Sequence, residues 1–136
     1  MGAWGTGNFA NDSALDWVAD LDEQQDGLAY IEQTLRFVLE ETEAYVGERA
    51  MSSALAAAEV VAAMRNRPAS YIPDGAEQWV KTHGEVDPQR VEPLAEQASE
   101  VARQIRDDSE LRELWDADPE WLAVVDDLLA RLSPPT

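Results

Sequence analysis

Cysteine is absent from the chain, which excludes disulfides, zinc–thiolate sites, iron–sulfur clusters and cysteine nucleophiles together. Histidine occurs once, as His83 in a polar KTHGE turn, and no G-x-S-x-G elbow is present. A Ser–His–Asp site needs a base held beside its nucleophile, and helix-borne zinc or di-iron sites need paired histidines or Glu-x-x-His. His83 therefore reads as a surface residue. No segment approaches the roughly 18 apolar residues of a membrane span. The opening MGAWGTGNF has neither the basic stretch nor the apolar run of a secretory leader. A soluble cytoplasmic protein is expected. Strand alternation is also missing, so the fold class is all-α.

What the chain has in excess is acid. Its 136 residues carry 28 Asp and Glu against 10 Lys and Arg, a net charge of −18. Such a chain repels phosphate and lacks the basic footprint that supplies nucleic-acid affinity, so no direct nucleic-acid or anionic-membrane binding is expected. The charge is uneven. Residues 1–48 hold eleven acids and one base, residues 49–91 five of each, and residues 92–136 twelve acids and four bases. Acidic flanks enclose a neutral middle, and a partner surface is expected within residues 12–48 or 92–127. With 45% hydrophobic residues, five of them Trp, the chain can bury one core, and residues 1–136 read as a single domain.

The apolar spacing predicts six or seven helices in a compact bundle, preceded by an ordered glycine- and aromatic-rich coil over 1–10 and followed by a short tail over 133–136. Asn11, Asp12 and Ser13 are all suitable N-caps for a first helix to about residue 21. A second helix is expected over 28–46 with Gly47 as its stop, and a third, with its ALAAAEVVAA run, to about Arg67. A short helix over 76–82 follows. Asp87–Pro88 is the cap of a long helix in which Pro93 is a potential kink, Asp108 or Ser109 caps a short one, and Asp118–Pro119 caps the last.

Three groups of carboxylates invite a functional reading. Asp16, Asp20, Asp22, Glu23 and Asp26 form an acidic run suited to a basic protein partner. They lack the D-x-[DN]-x-[DN]-G spacing of an EF-hand. Glu40 and Glu43 have the Glu-x-x-Glu spacing of helical magnesium-dependent nucleotide hydrolases, and Asp126 or Asp127 on the last helix are the candidates to complete an oxygen-ligand Mg site. In so acidic a chain, a pair three residues apart is also expected by chance. Glu59 interrupts an apolar run, but residues 52, 56, 59, 63 and 66 read as a Ser, Ala, Glu, Ala, Asn stripe, which predicts that it faces solvent. Gly5 and Gly7 form a G-x-G with no strand before it, so a nucleotide cradle is not expected. The glycines read instead as freeing the backbone for Trp4 and Phe9 to dock on the helices.

The run MGAWGTGNFANDSALDW, through Gly2, Trp4, Gly5, Gly7, Phe9, Asn11, Asp12, Ala14 and Trp17, resembles the signature of a family of small bacterial proteins, domain of unknown function 4259. The ending SELRELWDADPEWLAVVDDLLARL is similar to that family as well. The resemblance implies that these N-terminal residues act as one unit, and it carries over no catalytic residue or cofactor. The leading expectation is a noncatalytic acidic interaction module, regulatory or an immunity-like inhibitor of a basic partner, with no cofactor. The alternative is the magnesium-dependent hydrolase. Oligomeric state is left open.

Overall fold

The structure is a computed structural model that describes residues 5–40, 47–83 and 88–133. The described residues form seven helices: α1 (Asp12–Asp22), α2 (Gly27–Glu40), α3 (Glu48–Met64), α4 (Asp74–His83), α5 (Pro88–Asp107), α6 (Glu110–Leu114) and α7 (Pro119–Leu132). No strand occurs among the described residues.

The bundle is organised around α3. Every residue from Ala54 to Ala63 is buried, and α3 touches each of the other six helices, α5 most extensively. Six alanines and Ser52 line much of its surface, and alanine both favours the helix and lets neighbouring backbones come close. Leu35 and Val38 of α2, Val101 and Ile105 of α5, and Trp121, Val125 and Leu128 of α7 belong to the core it anchors. The outer helices are amphipathic, as their apolar spacing predicts.

Local signals set most boundaries. Asn11 caps α1, its Oδ1 accepting from the Ala14 N–H at 2.8 Å. Ser109 caps α6 by accepting from Arg112 N–H at 3.0 Å, and Asp118 caps α7 just before Pro119. Other ends differ from expectation. α3 stops at Met64, where Asn66 turns left-handed at φ 64° and the amides of Asn66 and Arg67 bond Ala63 and Ala62 carbonyls, a Schellman closure. Gly47 is the N-cap of α3, while the end expected for the second helix, over 41–46, lies outside the described residues. α4 begins at Asp74, directly after Pro73, whose carbonyl accepts from Glu77 N–H. α5 runs through Pro93, which sits on its exposed side.

The C-terminal ends of α3 and α7 lie side by side, held by arginines. Arg65 donates to the Leu132 carbonyl, and Arg67 donates to the carbonyls of Arg131 at 3.3 Å and Ser133 at 2.9 Å. Arg131 returns a bond to the Arg67 carbonyl at 3.2 Å. Cations placed where helix carbonyls lack partners offset the negative ends of both dipoles.

At the start of α2, Gly27 lies against the buried Trp79 of α4, where an added Cβ would come within 2.4 Å of the ring carbon Cζ2. Gly27→Ala is therefore expected to lower stability by about 1–3 kcal/mol through overpacking, despite alanine's better helix propensity. A urea titration of the two proteins checks this, and equal midpoints would show that the ring yields freely.

Candidate functional site

The glycine-rich N-terminal segment leads to a buried polar cluster. Phe9 is buried in the core, so the docking expected of it is met, while Trp4 lies outside the described residues. The preceding Asn8 is only 6% exposed. Its Nδ2 donates to Glu59 Oε2 at 2.7 Å. Glu59 also receives two bonds from Arg131, from the Nη1 atom to Oε1 at 2.7 Å and from Nη2 to Oε2 at 3.0 Å. Arg131 Nε donates to Asp127 at 2.9 Å.

Glu59 is 2% exposed, which corrects the solvent-facing reading. The stripe through 52, 56, 59 and 63 is buried because α3 has helices on all sides. A buried carboxylate is tolerable only when paired and hydrogen-bonded, and the bidentate guanidinium does this. Burial alone would lower the Arg131 pKa. The hydrogen bond and charge of Glu59, then those of Asp127, outweigh burial and raise it. The amide of Asn8 is oriented by Glu59, since rotating it would set oxygen against oxygen. That leaves Asn8 Oδ1 buried without a partner, an arrangement costing about 1–3 kcal/mol.

Asn8 separates two cavities. One of about 300 Å³ lies between the N-terminal segment and Ser52, Leu55, Trp115 and Trp121, with Glu48 its one carboxylate among the described residues. The other, about 400 Å³, is lined by Glu59, Glu120, Asp127 and Arg131 together with Phe9, Ala123 and Tyr71. Of the polar residues at the second cavity, Asp127 is a candidate named from sequence, whereas Asn8, Glu120 and Arg131 were not singled out and Glu59 was read as facing solvent. The signal was available in the neighbours of Glu59, since Leu55, Ala56, Ala62 and Ala63, three and four residues away on either side, are all apolar.

The sequence-derived candidates lie elsewhere or apart. Asp16, Asp20, Asp22, Glu23 and Asp26 are all exposed along α1 and the turn to α2. Asp16 approaches Arg49 at 3.9 Å, and Asp26 accepts from Ala29 N–H as an α2 cap. Of the magnesium candidates, Glu43 lies outside the described residues. Glu40 faces Arg36 at 3.6 Å on α2, Asp126 pairs with Arg106, and Asp127 pairs with Arg131. Each of these carboxylates thus has its own arginine, Glu40 on α2 and the two aspartates on α7, and the described residues do not gather them into one group. No group of three His, Asp or Glu suited to a metal occurs among the described residues. His83 is exposed, stacked on Trp79 with ring centroids 4.6 Å apart.

The acidic run acts on a neighbouring phenol. Tyr30 stacks on Trp17 at 5.5 Å, and burial, with the charge of Asp20 added, raises its pKa above the ordinary 10.0. Because the folded-state pKa is the higher one, the stability that Tyr30 contributes is fully present below pH 10.0 and is lost as pH rises through the folded value. Unfolding midpoints followed into alkali are expected to fall less steeply in Tyr30→Phe than in the parent. The same slope in both would remove this coupling.

The buried ion pair makes a larger contribution. Arg131→Met strands the Glu59 charge and is expected to cost about 3–5 kcal/mol, whereas the pair Glu59→Leu with Arg131→Met costs less than Arg131→Met alone. Urea denaturation of the parent, Arg131→Met, Glu59→Leu and the double variant measures this. Additive losses would mean that the two groups stabilise independently.

No curated protein and no solved structure matches this chain. No helix among the described residues is long and apolar enough to cross a membrane. The family identified from the N-terminal signature does match, over residues 2–124, and the chain belongs to that family, the domain of unknown function DUF4259.

Proposed function

We propose that this protein is a noncatalytic interaction module that engages a basic protein partner through the acidic surface of α1 and the α1–α2 turn, as a regulator or inhibitor of that partner. The observation that supports this reading is the unbalanced exposure of Asp16, Asp20, Asp22, Glu23 and Asp26, whose one ion pair among the described residues is the long contact of Asp16 with Arg49. The arginines that would neutralise such a surface are engaged elsewhere in the fold. Arg65 and Arg67 hold the end of α7, Arg131 holds Glu59, Arg106 holds Asp126, and Arg112 donates to the Arg106 carbonyl. Asp16 and Asp20 also stand one helical turn apart on α1, a like-charge spacing that disfavours the helix by a few tenths of a kcal/mol. Such a field steers and orients a cationic surface, and its effect is screened by salt.

The test compares two proteins of equal net charge. One neutralises Asp16, Asp20, Asp22, Glu23 and Asp26 to Asn or Gln. The other neutralises Glu96, Glu100, Asp108, Glu113 and Asp116, which are also exposed. Affinity for a lysine-rich peptide at low ionic strength is expected to drop about tenfold in the first and to change by less than about twofold in the second. Equal losses would show that only total charge matters and would overturn the reading.

A further inference from the structure

We propose that the 300 Å³ cavity between the N-terminal segment and helices α3, α6 and α7 is a binding site for a small, flat, neutral molecule, a bicyclic ring that carries a carbonyl acceptor as a lactone or lactam does. The proposal goes beyond the acidic surface of α1 and does not rest on it.

The walls are apolar and aromatic. Leu55 of α3, Leu111 of α6, Trp121 of α7 and the half-buried Trp115 between the last two helices line the cavity, and such surfaces favour a flat ring. A dry cavity of roughly 150 Å³ holds benzene, so this one has room for two fused rings.

The independent feature is a pair of polar groups inside this enclosure. Hydroxyls on or just after a helix often bond the carbonyl four residues back, as those of Thr34, Ser109 and Ser133 do. Ser52 differs. It is 4% exposed, and its hydroxyl has no hydrogen-bond partner among the described residues. The indole N–H of Trp121, a residue 2% exposed, has none either. Among the described residues, the side-chain atoms that are both unpartnered and sealed from solvent are Asn8 Oδ1 and Glu110 Oε2. The Ser52 and Trp121 groups therefore keep accessible surface, and both residues line this cavity. Asn11 lines it too, and because its Oδ1 is spent on the α1 cap it presents N–H donors. What the site lacks is an acceptor. A carboxylate or a neutral carbonyl could supply one, and charge decides between them. Glu48, one turn before Ser52 on α3, also lines the cavity, and the chain carries a net charge of −18, so an anion is repelled and the neutral carbonyl is favoured.

The experiment is an NMR titration of the nitrogen-15-labelled protein, read at the tryptophan indole cross-peaks, with three probes of similar ring size: coumarin, a neutral lactone; indole, a neutral ring with a donor and no carbonyl; and 2-naphthoate, an anion. Four proteins are compared: the parent, Trp121→Phe, Ser52→Ala, and Ser52→Leu, which fills the cavity. Coumarin is expected to bind the parent saturably with a Kd below about 1 mM, a value attainable for a ligand of its size. It should shift an indole cross-peak that is missing from Trp121→Phe. Indole and 2-naphthoate should each bind at least about fivefold more weakly. Trp121→Phe and Ser52→Ala, which keep the walls and remove one polar group each, should weaken coumarin about threefold to tenfold, and Ser52→Leu should weaken it more than tenfold. Thermal unfolding verifies that the variants are folded, and the two conservative variants carry the test if Ser52→Leu is not. No saturable binding of coumarin, equal binding of indole or 2-naphthoate, or coumarin affinity unchanged in both Trp121→Phe and Ser52→Ala overturns the proposal.

Discussion

The enclosure of α3 is the constraint on which the rest of the molecule depends. A helix in contact with six others can be accommodated only if its side chains are small on most of its circumference, and the alanines between 54 and 63 meet that requirement. The outer helices then need only one apolar face each, which leaves their remaining surface free to carry the acidic residues. A helix enclosed on all sides offers no solvated stripe, so a charged residue within it must be satisfied by protein. Glu59 is that residue, and the cluster of Asn8, Arg131 and Asp127 follows from its position.

The same constraint explains where the basic residues go. Few bases are available, and the described ones act mainly within the fold, at the carbonyl ends of α3, α5 and α7 or against specific carboxylates. The neutral middle of the sequence is thus a structural allocation, since Arg65 and Arg67 stand at the end of α3 where they meet α7. The excess acid remains outside, unopposed.

The sequence made the helices legible wherever the determining chemistry was local. Ser109, Asp118 with Pro119, and the apolar spacing of α1, α2 and α7 each act within a few residues, and each marks an element that is present. The helix ends closed without glycine were not legible in this way. Asn66, Asp116 and Ala117 adopt positive φ, a conformation that sequence usually signals with glycine. The facing of Glu59 was illegible for a different reason. Whether a helix stripe is wet depends on how many neighbours the helix has, and that number belongs to the tertiary arrangement. The cluster around Glu59 inherits this difficulty, because Asn8, Glu59 and Arg131 are distant in sequence, and only Asp127 with Arg131 has a spacing that local reasoning can detect.

That distance has a consequence for how the chain is held shut. Asn8 and Glu59 are 51 residues apart, and Glu59 and Arg131 are 72 apart, so a single carboxylate at mid-chain is neutralised from the C-terminal end and takes a further hydrogen bond from the N-terminal one. Chain ends ordinarily fray at little cost. Here, withdrawal of the C-terminal turn would leave an anion enclosed in hydrocarbon, and withdrawal of the N-terminal loop would remove one of its hydrogen bonds. The interior charge thus works as a latch, with the C-terminal turn as its bolt and the N-terminal loop as a lighter catch.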